Sequence, residues 1–338
     1  MKSLASVFAA AAILGAADLA SAGDMVEIEE WTVPYENSRP RDPFAHSPTS
    51  VWFVGQRTGY LANLNVETGD MLKIDLKEGS GPHNLIVGSD GVVWYAGNRT
   101  ALIGRYDPVS DEIEEIPMPD PAARDPHTLI FDEAEENIWF TLQGANMMGR
   151  MNIETRKVDL IASQTERSRP YGIKLAPDGS IWVALFGTSK LARINPETFE
   201  LKEIELPRES ARPRRLEVLA DGTVWYVDYA GGLLGKYNPS SEKFTEWAMP
   251  QGEDARPYGM ASDSSGRVWM VASGPNPNVF MGFDPATEEF FSQTEVPSGG
   301  GTIRHMHYYE PTGEVWFGTD TNYVGRAIVE PKTEAASE

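Results

Sequence analysis

The sequence predicts an all-β fold, a seven-bladed β-propeller, on three observations. First, Trp52, Trp94, Trp139, Trp182, Trp225, Trp269 and Trp316 recur at intervals of 42 to 47 residues, the length of one four-stranded propeller blade. Second, each stands in the same local setting: an apolar run, usually led by proline, then a turn such as Asp90-Gly91, Asp178-Gly179 or Asp221-Gly222, then an apolar-Trp-apolar run. That is the signature of a hairpin. Third, the spacing leaves no room for the helices of about ten or more residues that parallel strands require between them.

The unit is clearest from Arg169 to Pro207. Its first strand follows the opening proline, and its second carries the tryptophan, as in Ile181-Trp182-Val183. A third strand reads apolar-Gly/Ala-Arg/Lys, as in Ile103-Gly104-Arg105, Leu191-Ala192-Arg193 and Leu234-Gly235-Lys236. A proline-bearing turn follows (Asp107-Pro108, Asn195-Pro196, Asn238-Pro239, Asp284-Pro285), and an alternating outer strand ends the unit at a proline. The seventh unit runs out of chain after Val329 without an outer strand. Glu30-Trp31-Thr32-Val33-Pro34 matches the end of the fifth unit, Glu246-Trp247-Ala248-Met249-Pro250. Residues 25–34 are therefore expected to complete the last blade and remove an open sheet edge.

Residues 1–22 read as a secretory signal: Lys2, an Ala-rich apolar stretch, and Ala20-Ser21-Ala22 as a small-x-small cleavage site. Residues 23–330 are expected to form one propeller domain, with 331–338 a flexible tail. The chain has no cysteine, which excludes a disulfide framework and a lipid-modified cysteine. No membrane insertion is expected, and the expected product is a periplasmic or secreted monomer. A net charge of −21 excludes nucleic acid and anionic membranes as partners.

The turn between the first two strands of each blade places the start of the first and the end of the second at the opposite end of the channel, the expected ligand face. The residue after each opening proline, or its equivalent, gives a ring of Phe44, His83, His127, Tyr171, Arg214, Tyr258 and His305. The third and fourth positions after each tryptophan add Gln56, Asn98, Phe186, Asp228, Tyr229 and Asp320, among others. Histidine, tyrosine and arginine around one funnel supply a titratable base, hydrogen-bond donors and cations, and the alternative is that such polar groups only hold water at the channel mouth. Arg41, Arg169, Arg212, Arg214, Arg215, Arg256 and Arg304 all lie at blade openings. Either they steer an anionic or carbonyl-rich ligand inward, with Arg214 and Arg304 the best placed, or those before proline pair with neighbouring acids. His307 follows His305 at a two-residue spacing that puts both on one side of a strand.

The repeated Pro-His/Tyr-x-Ile, Asp-Gly-x-Ile/Val-Trp-Phe and Ile/Leu-Gly-Arg-Ile segments, with outer strands ending in Leu/Met/Val-Pro, resemble the virginiamycin B lyase (streptogramin lyase) family of seven-bladed propellers across residues 25–329. The resemblance implies that a histidine opening the seventh blade is the general base, here His305. It also implies a substrate-binding histidine in the sixth blade, where this chain has Tyr258, and Mg²⁺ held by glutamates. One carboxylate position falls on Ile303, which cannot ligate, and the other falls near Asp320.

Three functions follow as expectations. In a lyase cleaving an ester or glycosidic link by β-elimination, His305 removes a proton α to a carbonyl, while Arg304, Arg214 or a divalent ion on Asp320 stabilises the enolate. His83, His127, Tyr171, Arg214, Tyr258, His307 and Asp228 would bind substrate. The second is a noncatalytic propeller binding a small molecule, carbohydrate, peptide or periplasmic protein through the same face. The third, a lactonase-type hydrolase, needs several inward carboxylates for its cation, and only Asp228 and Asp320 qualify by position.

Overall fold

The computed structural model describes residues 25–330; the expected signal at 1–22 and the tail at 331–338 lie outside the described residues. Seven four-stranded antiparallel sheets follow one another along the chain. The innermost strands of the first six are Pro40–Ser47, Pro82–Val87, Pro126–Phe131, Pro170–Leu175, Pro213–Val218 and Pro257–Ser262. The seventh begins with Met306–Tyr309 and takes its outermost strand, Glu27–Thr32, from the start of the chain. That strand pairs from Glu27 opposite Ile328 to Thr32 opposite Tyr323.

The local resemblance between residues 30–34 and 246–250 has a packing cause. Trp31 stacks on Trp316 at 5.5 Å between ring centroids, and Trp247 stacks on Trp225 at 5.3 Å. Each outer-strand tryptophan thus covers the inner tryptophan of its own blade.

All seven periodic tryptophans are buried. The core lies between adjacent sheets, as where Trp94, Ala96 and Ile103 of the second blade meet Leu129, Phe140 and Leu142 of the third. The third-strand Gly-Arg motif follows from this packing. A Cβ at Gly104 would lie 1.9 Å from the Tyr95 ring, and one at Gly235 would lie 2.2 Å from the Tyr226 ring, so only glycine admits the neighbouring aromatic. The basic residue that follows lies over the blade tryptophan: Arg150 over Trp139 at 5.4 Å, Arg193 over Trp182 at 5.8 Å, and Lys236 over Trp225 at 5.2 Å. These are cation–π contacts at the solvent edge of the core.

One irregularity of the innermost strands positions the site. In the second blade Pro82 pairs with Gly97 and Leu85 with Tyr95, so His83 and Asn84 together oppose the single residue Ala96. The same bulge recurs in the third to sixth blades. A bulge of two residues against one re-aims side chains, and in the second to sixth blades it turns two successive residues towards the axis; the matching positions in the first and seventh blades are Arg41 and Asp42, and Arg304 and His305. The channel is therefore lined by two stacked rings.

Candidate functional site

The upper ring is Arg41, His83, His127, Tyr171, Arg214, Tyr258 and Arg304, and the lower is Asp42, Asn84, Thr128, Gly172, Arg215, Gly259 and His305. Two sequence expectations are corrected by this register. In the first blade Pro40 pairs with Gly55 and Phe44 with Trp52, so the equivalent of His83 is Arg41, eleven residues before its tryptophan. Phe44 lies further down and stacks on His307 at 4.1 Å. In the seventh blade His307 pairs with Trp316, nine residues apart, against eight for Ile86 and Trp94. Arg304 therefore takes the upper position, and His305 stands one layer deeper.

The upper ring closes on itself. Arg41 Nη1 donates to His83 Nε2 at 2.7 Å, and His83 Nδ1 donates to the carbonyl of His127 at 3.1 Å. The His83 and His127 rings stand 3.7 Å apart, and His127 and Tyr171 stand 4.1 Å apart. The hydroxyls of Tyr171 and Tyr258, on the fourth and sixth blades, touch each other past the fifth. His83, His127, Tyr171 and Tyr258 are all buried. The open funnel that the sequence suggested is filled by its own lining.

Arg214 is the exception. Its guanidinium lies 3.6 Å from the Tyr258 ring centroid, 4.4 Å from Tyr229, 4.5 Å from Phe186 and 5.3 Å from Tyr171. Its Nε has no hydrogen-bond partner, and no ion pair to Arg214 occurs among the described residues. It remains partly exposed at the mouth. Beside it Arg304 grips Asp320 through both guanidinium nitrogens, with Nη2 2.6 Å from Oδ2, and Arg39 Nε stands 3.4 Å from Oδ1.

Burial and then the nearby guanidiniums hold the His83, His127 and His305 imidazoles well below the usual histidine range. His307, at the far end of the innermost strand near His46, Ser89 and Glu135, is pushed down to about 3 by burial and by Lys174. Tyr171 moves the other way from a buried phenol. Burial raises it, but Arg214, Arg215, Arg41 and the Tyr258 hydroxyl outweigh burial and bring it down to about 8.

Four other expectations are now located. His305 is half-buried, and its Nδ1 has no partner. The strand begins at Met306, so the alternation assumed for His305 and His307 does not hold. Asp228 is fully buried inside a turn. Its Oδ1 accepts from the backbone N–H groups of Arg212, Ala230 and Gly231 at 2.8 to 3.1 Å, and its Oδ2 takes Arg208 at 2.5 Å, so it offers nothing to a ligand. Arg169 and Arg256 are exposed in left-handed turns before their prolines, with φ of 52° and 43°.

The donor set does not fit Mg²⁺. Ile303 is apolar, Asp320 is held by two arginines, and no group of three or more His, Asp or Glu that could hold a metal occurs among the described residues. Of the two carboxylates that a lactonase-type cation could use, Asp228 is committed to its turn and to Arg208, and Asp320 to two arginines.

The family's sequence model, described as the virginiamycin B lyase family, matches residues 14–276. The chain belongs to the virginiamycin B lyase family. The match ends within the sixth blade, ahead of Arg304 and His305. A streptogramin B lyase superposes with a TM-score of 0.80 at 20% identity, covering 90% of this chain and 98% of that one. A catalytically inactive variant of virginiamycin B lyase from Staphylococcus aureus, with quinupristin, does so with 0.80 at 20% identity over 89% and 98%. The hydrazine synthase of Kuenenia stuttgartiensis gives 0.73 at 12% identity over 88% and 98%. At such identities the likeness shows the fold, and propellers of unlike activity share it. None of the curated proteins matches the sequence.

Proposed function

We propose that this member of the virginiamycin B lyase family binds a small anionic or carbonyl-bearing molecule at the upper channel mouth, with Arg214 as anchor, and is not itself a β-eliminating enzyme. The observation that carries this reading is the Arg214 guanidinium, without a carboxylate partner among the described residues, in its box of Tyr258, Tyr229 and Phe186. A cation held rigidly by aromatic faces, with no carboxylate to neutralise it, is preorganised for a ligand carboxylate or carbonyl. Tyr229 and Phe186 add apolar surface for the rest of the molecule. Arg304 is less available, because Asp320 already holds it.

The elimination reading retains one favourable observation: His305 lies in the channel of a lyase-family propeller with its Nδ1 unpartnered. Against it, the imidazole lies beneath the closed upper ring, and its depressed basicity makes it a poor proton acceptor at neutral pH. The stretch at residues 1–22 supports export, and the proposed site of action is the periplasm or the exterior. Amino-terminal sequencing of the protein recovered from that compartment should start at Gly23.

The test is a thermal-shift screen of small carboxylates, depsipeptides, lactones and uronic-acid polymers, followed by titration of any hit. Arg214→Met should weaken binding by about tenfold or more, the loss of a charged hydrogen bond, while His305→Ala leaves affinity within about twofold. Turnover of any screened compound that disappears in His305→Ala would replace the binding reading with the lyase one.

A further inference from the structure

We propose that the channel holds a small inorganic anion of halide size one layer below the mouth, bound by Arg41, Arg215 and His127. The site is distinct from the Arg214 box and does not depend on what binds there. Its first support is a charge imbalance. The Arg41 and Arg215 side chains are 5% and 4% exposed, and the carboxylate that reaches them is Asp42, at 1%; Glu217, also buried and within the field of Arg215, is already paired with Lys174 at 2.8 Å. Asp42 does not satisfy both cations. Its Oδ2 accepts from Asn84 at 3.0 Å, Arg41 Nε is 3.5 Å from Oδ1, and Arg215 Nη2 is 3.8 Å from Oδ2.

The second support is where the remaining donors point. Arg41 spends Nη1 on His83 and Gln56, and Arg215 uses Nε on the Arg304 carbonyl and Nη1 on the Thr128 hydroxyl, each at 3.0 Å. Arg41 Nε and Nη2 and Arg215 Nη2 are left without an acceptor among the described residues. The Thr128 hydroxyl, accepting from Arg215, stands 2.8 Å from His127 Nδ1. In the tautomer where the hydroxyl donates its own proton to that nitrogen, the imidazole proton stands on Nε2. That Nε2 is also buried and unpartnered. Three side chains, from the first, third and fifth blades, thus bring unsatisfied N–H groups into one lumen.

Buried donors are almost always satisfied, and an unpaired buried cation is the costliest kind to leave. A water molecule would supply acceptors but no charge, whereas an anion supplies both. A monatomic ion fits because it accepts from any direction and because the His83, His127 and Tyr171 rings, packed side by side at 3.7 and 4.1 Å, crowd the upper layer and leave little room for a larger organic group.

Bromide is the probe. Crystals grown in sodium bromide should show an anomalous peak in the channel within about 3.5 Å of nitrogens of Arg41, Arg215 and His127. In solution the melting temperature should rise and saturate with bromide, by about 3 °C or more relative to sodium gluconate at equal ionic strength. Arg41→Gln should abolish both effects, and Arg214→Met, at the mouth, should abolish neither. If Arg41→Gln does not fold, the bromide peak in the unsubstituted protein remains decisive. An ordered water in place of the peak, a peak at Arg214 alone, or equal melting temperatures in the two salts would overturn the proposal.

Discussion

Tyr171 shows how far its neighbours can move one side chain. Three guanidiniums reverse the effect of burial and bring its phenol from an ordinary value near 10 down to about 8, while burial and Tyr171 itself raise Tyr258. One proton should therefore leave this pair near pH 8, with the Tyr258 hydroxyl then donating to the phenolate. Ultraviolet titration at the tyrosinate band should show a single early phase near pH 8 that Tyr171→Phe removes. The sign for stability follows from linkage. Between pH 8 and 10 the unfolded chain still holds a proton that the native state has released, so this contribution grows with rising pH and is lost as pH falls through 8. Chemical denaturation of the two proteins across that window measures it. Asp228 carries a different prediction. Asp228→Ala removes the acceptor of three backbone N–H groups and the buried partner of Arg208, and should cost about 2 to 4 kcal/mol in denaturant unfolding. A loss below about 1 kcal/mol would mean the turn satisfies those groups by other means.

At the level of strands, the Trp period was legible because it records a packing demand repeated at every blade interface. Trp182, buried between the fourth and fifth blades with Leu216 and Tyr226, should lose about 3 to 5 kcal/mol on truncation to alanine, by equilibrium denaturation. The completion of the last blade was legible for the same reason, since Trp31 repeats the role of Trp247. The two channel rings were only partly legible. Proline marked the bulge in five blades, and Tyr229, Phe186 and Asp320, reached by counting forward from the tryptophan, stand beside Arg214 and Arg304. Counting backward failed in the seventh blade, where a short 3-10 turn at Glu310–Thr312 lengthens the hairpin by one residue and moves Arg304 into the place expected for His305. In the first blade a second proline, Pro43, masked Arg41. The lower ring, with Asp42, Thr128 and Arg215, carries no shared residue type, because a bulge constrains backbone and leaves side-chain identity free.

The whole molecule is a ring joined by one noncovalent seam, the pairing of Glu27–Thr32 with Tyr323–Ile328. Around it Glu29 binds Arg326 at 2.8 Å, Glu30 accepts from the Ser298 hydroxyl at 2.7 Å, and Asn322 donates to the Val33 carbonyl at 2.8 Å. Deleting residues 23–34 would remove these contacts, uncover Trp316 and bare a sheet edge, so the truncated chain should melt many degrees lower and aggregate. That result alone does not separate the loss of a strand from the opening of the ring. A circular permutant does: a short glycine-serine linker joins residue 330 to residue 25, and new ends are placed in the exposed loop between Asp120 and Pro121. This chain keeps all four strands of the seventh blade and makes its seam covalent. The permutant gives up only the turn contacts that Asp120 makes to Ala122 and Ala123. If the seam is what the ring depends on, the permutant should melt within a few degrees of the natural order, or above it, and tolerate the new break, because the six other blade interfaces, the now covalent seam among them, hold the second and third blades together. A permutant as unstable as the truncation would place the critical joint at the interface that was opened, and would show that the seven interfaces do not contribute alike.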